Sequence, residues 1–448
     1  MLRKKITVFL LFLTDILKQT ILGGGIGSVV GALGAFFIWL LNTAAGFTNR
    51  FEYYYLFLPL AMFLSSFLVE RFAPAAEGHG TEKAIEAVHK NNGRIKAKTI
   101  PIKIAATVIT IAVGGSAGKE GPTTQIGAGA ASLAARALRL DEEDTKTLVV
   151  CGMGAGFAAI LGTPIAAAIF VAEVLVIGRL NLKNIFSALI ASLAGHYVFG
   201  LFGLRTEEMP DLSGFAVSVS NAPAWLFMAF CAGVFFGLVS LLMITAMRGS
   251  ARLAEKIRVY KPLKGIIGGA ALALLALIFN KNYLGTGVEY FMTIAGGGNV
   301  LPHDFMLKIL FTAITLSFGG SGGVLTPLMF VGITSGSAFA AFFGLDPVVF
   351  SCLGMLAVLA GSTNTPLACI IMAFEMFLSP GLVILSALAC PVAYLITGHR
   401  SVYHTQFIGE SKIRAVYIAP DTIEAHKEKI VYKNGIPSKI AELFKKKG

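Results

Sequence analysis

The sequence predicts an all-helical integral membrane protein built from two repeats, whose tilted and broken helices meet near the midplane of the bilayer. Three observations predict this fold: a hydrophobic composition, a series of short apolar segments, and a duplicated set of glycine-rich motifs. Of the 448 residues, 55% are hydrophobic and 14% are charged, and the mean hydropathy is +0.75. A soluble domain could not cover its surface with so few charged residues, so we expect the chain to lie in lipid.

Apolar segments recur along the whole chain, and several are shorter than the roughly 20 residues that a perpendicular spanning helix needs. Short segments bounded by glycine and proline indicate helices that end inside the membrane, where protein or a polar cavity must satisfy the backbone. The 50 glycines suit such interrupted, closely packed helices. The segments occupy residues 6–46, 54–72, 101–114, 122–138, 147–161, 164–178, 185–203, 223–247, 263–280, 305–318, 327–343, 348–361, 366–378 and 381–397.

The first apolar run and the cysteines have simple interpretations. The run is too long for the hydrophobic region of a signal peptide and has no small-residue cleavage site before the next span, so it is expected to be a mature membrane helix. The five cysteines lie in apolar stretches without metal-ligand spacing. We therefore expect small core residues and predict neither a metal site nor a cofactor.

The net charge of +12 is concentrated in a few clusters. Basic residues group at 3–5, 90–103, 248–264 and 412–447, whereas residues 207–211 form an acidic loop. The positive-inside rule then predicts a multi-pass protein of the plasma membrane with both termini in the cytoplasm and the acidic loop outside. This pattern is ordinary membrane topology, and we expect no nucleic acid partner.

Three motifs occur twice, in the same order and at nearly the same offset. The first reads K-(x10)-GGSAG-KEG-P from Lys103 and K-(x10)-GGSGG-VLT-P from Lys308, an offset of 205 residues. Upstream, Gly-His-Gly at 78–80 returns as Gly-Thr-Gly at 285–287, an offset of 207. Downstream, Thr-Pro-Ile-Ala at 163–166 with Glu173 returns as Thr-Pro-Leu-Ala at 365–368 with Glu375, an offset of 202. The chain is therefore a duplication.

The duplication predicts how the chain is organised. Paired interrupted segments in two halves are typical of transporters with a midplane site between the repeats, and inversion of the halves is a hypothesis here. The predicted parts are a cytoplasmic N-terminal segment (1–20), a first membrane repeat (20–205), an extracellular loop (206–222), a second membrane repeat (223–405) and a short basic cytoplasmic tail (406–448).

The glycine-rich breaks suit an anion. Helix N-termini present free backbone N–H groups and a positive dipole end, and glycine lets an anion approach them. Such ends are predicted near residues 78–81, 118–122 and 322–327, with Pro122 and Pro327 in first turns, where no N–H is needed. An anion in hydrocarbon must regain its lost hydration from donors of this kind.

Glu120 is the main candidate, because its carboxylate would occupy the place of a permeating anion until a proton neutralised it. The alternatives are an ion pair with Lys119 or a simple N-terminal cap. Lys103 and Lys308 either snorkel to the interface or attract anions. Glu173 and its repeat partner either make structural hydrogen bonds or form a proton pathway.

The motifs at these breaks resemble those of the CLC family of chloride channels and transporters. Residues 118–127 resemble its signature G-[RK]-E-G-P-x-x-Q-I-G, in which the glutamate is the external gate that competes with chloride. Residues 323–327 resemble G-x-F-x-P, residues 78–80 resemble the start of G-S-G-I-P, and Tyr403 matches the tyrosine at the inner side of the central ion site, although from the residues alone it could be an interfacial aromatic anchor. The resemblance runs from about residue 20 to 410.

The resemblance implies transport of chloride or a similar small anion by a homodimer in the bilayer, each subunit holding its own pathway through two inverted halves. It implies Glu120 as the gate, no enzymatic activity and no C-terminal regulatory domain of the cystathionine-synthase type. The anion-binding residues that it implies are Gly78, His79, Gly80, Gly118, Lys119, Gly121, Gly323, Val324, Leu325, Thr326 and Tyr403.

Three departures from the family pattern affect the mechanism. His79 replaces a serine, and Leu325 replaces a phenylalanine. Val174 stands where many proton-coupled members have a glutamate, so channel and exchanger both remain open, with Glu173 or His79 as substitute proton carriers. Pro122 and the lack of methionine at position 79 argue against the fluoride-exporting branch, whereas nitrate or bromide permeation remains open.

Two other classes of protein fit the sequence less well. A cation-coupled secondary transporter would line its midplane with several carboxylates or unwound carbonyl groups, whereas these breaks carry one acid and flanking lysines. An intramembrane enzyme would need a catalytic motif such as H-E-x-x-H or G-x-S-x-G within its spans, and the apolar segments contain neither; the letters G-x-S-x-G occur only in the glycine-rich breaks at 114–118 and 319–323.

Overall fold

The computed structural model describes residues 2–204, 209–295 and 300–413, together with short strands at 416–418, 422–423 and 430–432. Helices dominate these residues. The α-helices in this part of the chain are α1 (Leu2–Thr48), α2 (Leu58–Phe72), α3 (Thr81–Lys90), α4 (Thr99–Ala112), α5 (Glu120–Ala137), α6 (Glu142–Leu161), α7 (Pro164–Glu173), α8 (Ile185–Leu201), α9 (Ala222–Lys256), α10 (Lys261–Phe279), α11 (Val288–Ala295), α12 (Asp304–Ser317), α13 (Leu325–Phe343), α14 (Pro347–Thr363), α15 (Pro366–Phe377) and α16 (Pro380–Thr397).

The predicted all-helical membrane fold is confirmed, and each predicted apolar segment contains a helix. Eight helices of the described residues are long and apolar enough to cross a membrane, and α4, α7, α14 and α15 are shorter apolar helices. Many starts and stops are encoded locally. Proline occupies the first turn of α7, α14, α15 and α16, and glycine in the left-handed conformation ends α6 and α13.

The structure changes some predicted boundaries. Residue 20 lies inside α1, so the predicted N-terminal segment is not a separate element. Helix α7 ends at Glu173 rather than near 178, because strand β1 (Val176–Ile177) pairs in parallel with β2 (Phe407–Ile408). Strand β2 also pairs with β4 (Thr422–Ile423), and β3 (Val416–Ile418) pairs with β5 (Ile430–Tyr432). Residues 206–208 of the predicted loop, residue 205 before it and much of the tail lie outside the described residues.

Glycine contacts within each half repeat the duplication. In the first half, a Cβ atom on Gly152 would lie 2.3 Å from the carbonyl oxygen of Gly127, which joins α6 to α5. In the second half, a Cβ atom on Gly354 would lie 2.3 Å from the carbonyl oxygen of Gly332, which joins α14 to α13. Both helix pairs therefore pack backbone to backbone, as small residues allow in membranes.

The two halves meet at an antiparallel β-bridge between equivalent glycines, Gly118 and Gly323. Each N–H donates to the other residue's carbonyl oxygen, with N···O distances of 2.7 Å. An antiparallel pair is two-fold symmetric, so the two chain segments run in opposite directions through this point, as expected of inverted repeats. The bridge places the starts of α5 and α13 side by side.

Candidate functional site

The N-termini of α3, α5 and α13 converge on one buried region. A Cβ atom on Gly80 would lie 2.2 Å from the carbonyl oxygen of Gly121, and one on Gly121 would lie 2.1 Å from that of His79. A Cβ atom on Gly323 would lie 2.8 Å from the backbone nitrogen of Gly121. Only glycine permits so close an approach, and Gly80 also has a positive φ of 82°. The three predicted breaks therefore form a single site.

Two buried lysines hold the loops that lead into this region. Lys103 Nζ donates to the carbonyl oxygens of Ala76 at 3.1 Å and Gly78 at 2.8 Å. Its repeat partner Lys308 donates in the same way to Tyr283 at 3.1 Å and Gly285 at 2.9 Å. Both lysines are fully buried, so the predicted alternative of a lysine that snorkels to the interface is wrong. Each ammonium group fixes the backbone just before a break.

Glu120 is the first residue of α5, and it is 1% exposed. Its Oε2 atom accepts a hydrogen bond from the backbone N–H of Thr326 at 3.3 Å and another from the Thr326 hydroxyl. Thr326 lies in the first turn of α13, in the other repeat. The carboxylate therefore sits between two helix N-termini, where the N–H groups and the dipoles favour negative charge.

The N-cap residues of α5 and α13 lie just before Glu120 and Thr326 in the chain. Lys119 is the N-cap of α5, and Val324 is the N-cap of α13. Val324 and Leu325 are each 1% exposed and contribute apolar side chains to the core. If Val324 and Leu325 contact the anion as predicted, they can do so only through their backbone groups.

On one side, Glu120 and Thr326 line a cavity together with Met209, Thr286 and Tyr290. Met209 belongs to the loop between the repeats that is predicted to be extracellular, and Thr286 belongs to the Gly-Thr-Gly motif of the second half. The rest of the lining is largely apolar, including Leu161, Val288, Met329, Phe330 and Ile333. The carboxylate thus faces a cavity that leads towards the predicted outer loop.

Sequence reasoning missed a buried carboxylate that is hydrogen-bonded to Tyr290, one of the residues lining this cavity. Asp304, at the start of α12, is fully buried and accepts hydrogen bonds from the hydroxyls of Tyr283 and Tyr290 and from the N–H of Leu301. Tyr290 also stacks on Phe330, with ring centroids 5.2 Å apart. An aspartate four residues before Lys308, at the start of an apolar helix, was the available signal.

On the other side lies Tyr403, whose side chain is fully buried. Its hydroxyl lies beside that of Thr81, and within the described part of the chain neither hydroxyl has a partner in hydrogen-bond geometry. His79 Nδ1 lies 3.6 Å from Glu82 Oε2 and has no hydrogen-bond partner among residues 2–204, 209–295 and 300–413. Buried polar groups are normally paired, so these three atoms mark a place for a ligand. An interfacial anchor does not fit this position of Tyr403.

The loop that carries Tyr403 is fixed to the first turn of α3. The backbone N–H of His404 donates to Glu82 Oε1 at 3.1 Å, and the Thr405 hydroxyl donates to the carbonyl oxygen of Glu82 at 3.0 Å. Thr81 was not among the predicted side-chain ligands, although its place directly after Gly-His-Gly was visible in the sequence. All the predicted glycine breaks and Tyr403 therefore belong to one region.

Glu173 and Glu375 each cap the N-terminus of the helix that carries the other. The carboxylate of Glu173 accepts from the N–H groups of Leu367 and Ala368 at 3.1 and 3.0 Å, at the start of α15. Glu375 accepts from Ile165 and Ala166 at 2.9 and 2.7 Å, at the start of α7. These contacts match the structural alternative for the pair rather than a proton pathway.

The position that holds a glutamate in many proton-coupled relatives is apolar and enclosed. The side chain of Val174 is fully buried, and its carbonyl oxygen accepts from Gln406 Nε2 at 2.7 Å. The same amide nitrogen donates to the carbonyl oxygen of Thr363 at 2.9 Å. Gln406 was not predicted, and it joins the segment after Tyr403 to the ends of α7 and α14.

Duplicated broken helices that share one site at their N-termini are the features of an inverted-repeat membrane transport protein. The chain belongs to the voltage gated chloride channel family, whose characteristic sequence pattern matches residues 61–398.

Curated relatives extend over most of the chain. It is 31% identical over 410 residues to the "Chloride/fluoride channel protein" of Pseudomonas syringae pv. tomato, which covers 89% of this chain and 88% of the relative. It is 28% identical over 416 residues to the "H(+)/Cl(-) exchange transporter ClcA" of Citrobacter koseri, which covers 85% of this chain and 86% of the relative.

Solved structures share the fold. A CLC-type fluoride/proton antiporter matches with a TM-score of 0.80 and 28% identity over 87% of this chain and 98% of that chain. A slow cyanobacterial Cl−/H+ antiporter matches with a TM-score of 0.76 and 20% identity over 86% and 96%, which concerns the fold alone. Relatives named for chloride and for fluoride both match, so the argument against fluoride from Pro122 and position 79 stays a prediction.

Proposed function

We propose that the protein carries chloride or a similar small anion, fluoride included, across a membrane, and that Glu120 is the gate. The observation that carries this proposal is the position of the Glu120 carboxylate, which accepts two hydrogen bonds from Thr326 at the meeting of two helix N-termini. A carboxylate in that position is itself a bound anion. A permeating anion can occupy this position only after the Glu120 carboxylate has left it.

The chemistry of the site favours an anion over a cation. Donors predominate, because the region contains helix N-termini and the unpartnered hydroxyls of Thr81 and Tyr403. The loop carbonyl groups that could ligate a cation, such as those of Gly78 and Gly285, already accept hydrogen bonds from buried lysines. This argues against the cation-coupled alternative, which needs free carbonyls or clustered carboxylates.

Protonation provides the gating step. A proton on Glu120 removes its negative charge and weakens its hold on the N–H and hydroxyl of Thr326, which then become available to the anion. Anion flux should therefore rise as the pH falls. Whether protons also cross the protein in fixed ratio is a separate matter, because Val174 carries no titratable group and Glu173 is engaged at the start of α15.

The proposal includes a homodimer in the plasma membrane with both termini in the cytoplasm. The basic clusters at 3–5, 90–103 and 248–264 support this orientation through the positive-inside rule. Large exposed apolar side chains on α7, α8, α15 and α16, among them Ile165, Tyr197, Leu367 and Phe374, offer a face for a second copy or for lipid.

The test is ion efflux from proteoliposomes, with halide and pH electrodes in the same vessel. Wild-type protein should release chloride or fluoride faster at pH 5 than at pH 7.5, and Glu120→Gln should release it at a rate independent of pH. Uphill proton movement in a fixed ratio to the anion would make the protein an exchanger, and anion flow alone would make it a channel. If no halide moves through wild-type protein or Glu120→Gln, the proposal is wrong.

A further inference from the structure

A basic cavity of about 530 Å³ lies apart from the proposed anion site and opens to the protein surface. It is bounded by α3, by the loop between α3 and α4, and by α5. Its charged lining consists of four cations and one carboxylate, namely Lys83, Arg94, Lys96, Arg136 and Glu86. None of these residues has a role in the proposed transport step.

The cavity keeps an excess of positive charge after its internal contacts are counted. Glu86 is shared between Lys83 at 2.8 Å and Lys90 at 3.3 Å. Arg136 donates one N–H each to the carbonyl oxygens of Ser132 and Ile95, which uses two of its five donors and leaves its charge unneutralised. Arg94 and Lys96 are exposed at the rim. A negatively charged ligand would therefore be attracted here.

A second, independent feature lies at the buried end of the cavity. Gln125 is only 2% exposed and lines the cavity. Its Nε2 atom donates to the carbonyl oxygen of Ala75 at 2.7 Å, but no residue that the structure describes donates a hydrogen bond to its Oε1 atom. A buried acceptor without a donor calls for a ligand that carries a hydroxyl or N–H group.

We propose that this cavity binds a glycerol phosphate group, with the phosphate on Arg94, Lys96 and Arg136 and a glycerol hydroxyl on Gln125 Oε1. Arginine and lysine suit phosphate oxygens, and arginine can do so with two N–H groups at once. The loop at 91–98 is predicted to lie at the cytoplasmic membrane surface, where basic pockets between membrane helices bind lipid headgroups. Phosphatidylglycerol and free glycerol phosphate both carry the required chemistry.

The test is native mass spectrometry of the full-length protein in detergent, titrated with phosphatidylglycerol or with phosphatidylcholine of the same acyl chains. The cavity variant is Arg94→Gln/Lys96→Gln. The matched control is Arg252→Gln/Arg258→Gln, which removes the same charge from exposed positions near the end of α9. We expect phosphatidylglycerol to bind the cavity variant about 10- to 30-fold more weakly than the control, since each basic residue near a membrane surface contributes about 1 kcal/mol.

The source of the phosphate is decided by competition with soluble glycerol 3-phosphate. Displacement of phosphatidylglycerol at millimolar concentration would assign the cavity to soluble phosphate esters, and its absence would assign it to the lipid. Equal loss of binding in both double variants would mean attraction to the general surface charge and would overturn the proposal. Equal binding of phosphatidylglycerol to the cavity variant and the wild type would also overturn the proposal, as would equal binding of the two lipids to the wild type.

Discussion

Gly118 and Gly323 donate backbone hydrogen bonds to each other, and this exchange aligns Glu120, the proposed gate, with Thr326 from the other repeat. Glu120 follows Gly118 by two residues, and Thr326 follows Gly323 by three. The bridge therefore places the carboxylate of one half against the N–H and hydroxyl of the other. The position of the Glu120 carboxylate depends on a contact that neither half can make alone.

Gly118→Ala should disturb this alignment. A Cβ atom at Gly118 would lie 2.4 Å from the Thr326 hydroxyl and 2.7 Å from Glu120 Oε2. The gate must then move, and overpacking of this kind typically costs about 1–3 kcal/mol. We expect lower thermal stability and a weaker pH dependence of efflux. The control is Gly200→Ala in α8, where a Cβ atom has no neighbour within 4 Å. An equal loss of thermal stability and of pH dependence in Gly118→Ala and Gly200→Ala would contradict this role of the bridge.

Thr326→Val should open the gate at neutral pH. The substitution keeps the shape of the side chain but removes the hydroxyl that donates to Glu120. A hydrogen bond to a charged group contributes about 1.5–3 kcal/mol, so the carboxylate should leave its site more readily. We expect efflux at pH 7.5 to rise about 10-fold, as measured in proteoliposomes. Thr326→Ser keeps the hydroxyl and should behave like wild type; equal rates for all three proteins would be evidence against the contact.

Tyr403→Phe should weaken anion binding. The Tyr403 hydroxyl is buried and has no partner among the described residues. Its removal therefore breaks no hydrogen bond within these residues but takes one donor away from the bound anion. We expect the dissociation constant for the transported halide, measured by isothermal titration calorimetry, to increase about 10-fold. Tyr197→Phe, at a side chain that is 68% exposed, is the control and should bind normally. Unchanged binding in Tyr403→Phe would remove this tyrosine from the site.

Glu173→Gln should reduce stability and leave proton coupling unchanged. An amide can accept at only one end, so one of the two N–H groups at the start of α15 loses its acceptor. Loss of a capping contact costs about 1–2 kcal/mol, and we expect Tm to fall by about 2–5 °C.

Glu375→Gln is the matched variant for this prediction. It removes the equivalent contact at α7 and should lower Tm by less, because Glu375 is less buried than Glu173. A large change in the proton-to-anion ratio in Glu173→Gln, with an unchanged Tm, would instead restore Glu173 to a proton pathway.

The spacing of glycine, proline and charge was sufficient to predict the helices, the duplication and the meeting of the breaks. These features are local in sequence, because a helix start or a close backbone approach limits which residues can stand there. Thr81, Asp304 and Gln406 could not be predicted in the same way. Their roles depend on side-chain partners in other elements, such as Val174 for Gln406, and on which buried atoms remain unpaired.

The same limit explains the lysines. A lysine before an apolar helix fits both an interfacial and a buried position, and sequence spacing does not distinguish them. The structure shows that Lys103 and Lys308 are buried because the loops that precede α3 and α11 supply two carbonyl oxygens to each ammonium group. The partners lie 23 to 27 residues away in sequence, at the ends of short 3₁₀ helices and in the glycine loops that follow them.

The exchange of caps between Glu173 and Glu375 has a consequence for the origin of the chain. Each carboxylate caps a helix of the opposite half, and each glycine of the bridge donates a hydrogen bond to its counterpart in the opposite half. Such reciprocal contacts are those of an isologous interface, in which one patch binds its own copy. A half-length ancestor would have carried both a glutamate and a helix start of this kind on one chain. The glutamate of one copy could then have capped the helix of a second copy. Two separate copies of that ancestor could have assembled the anion site before gene fusion joined them.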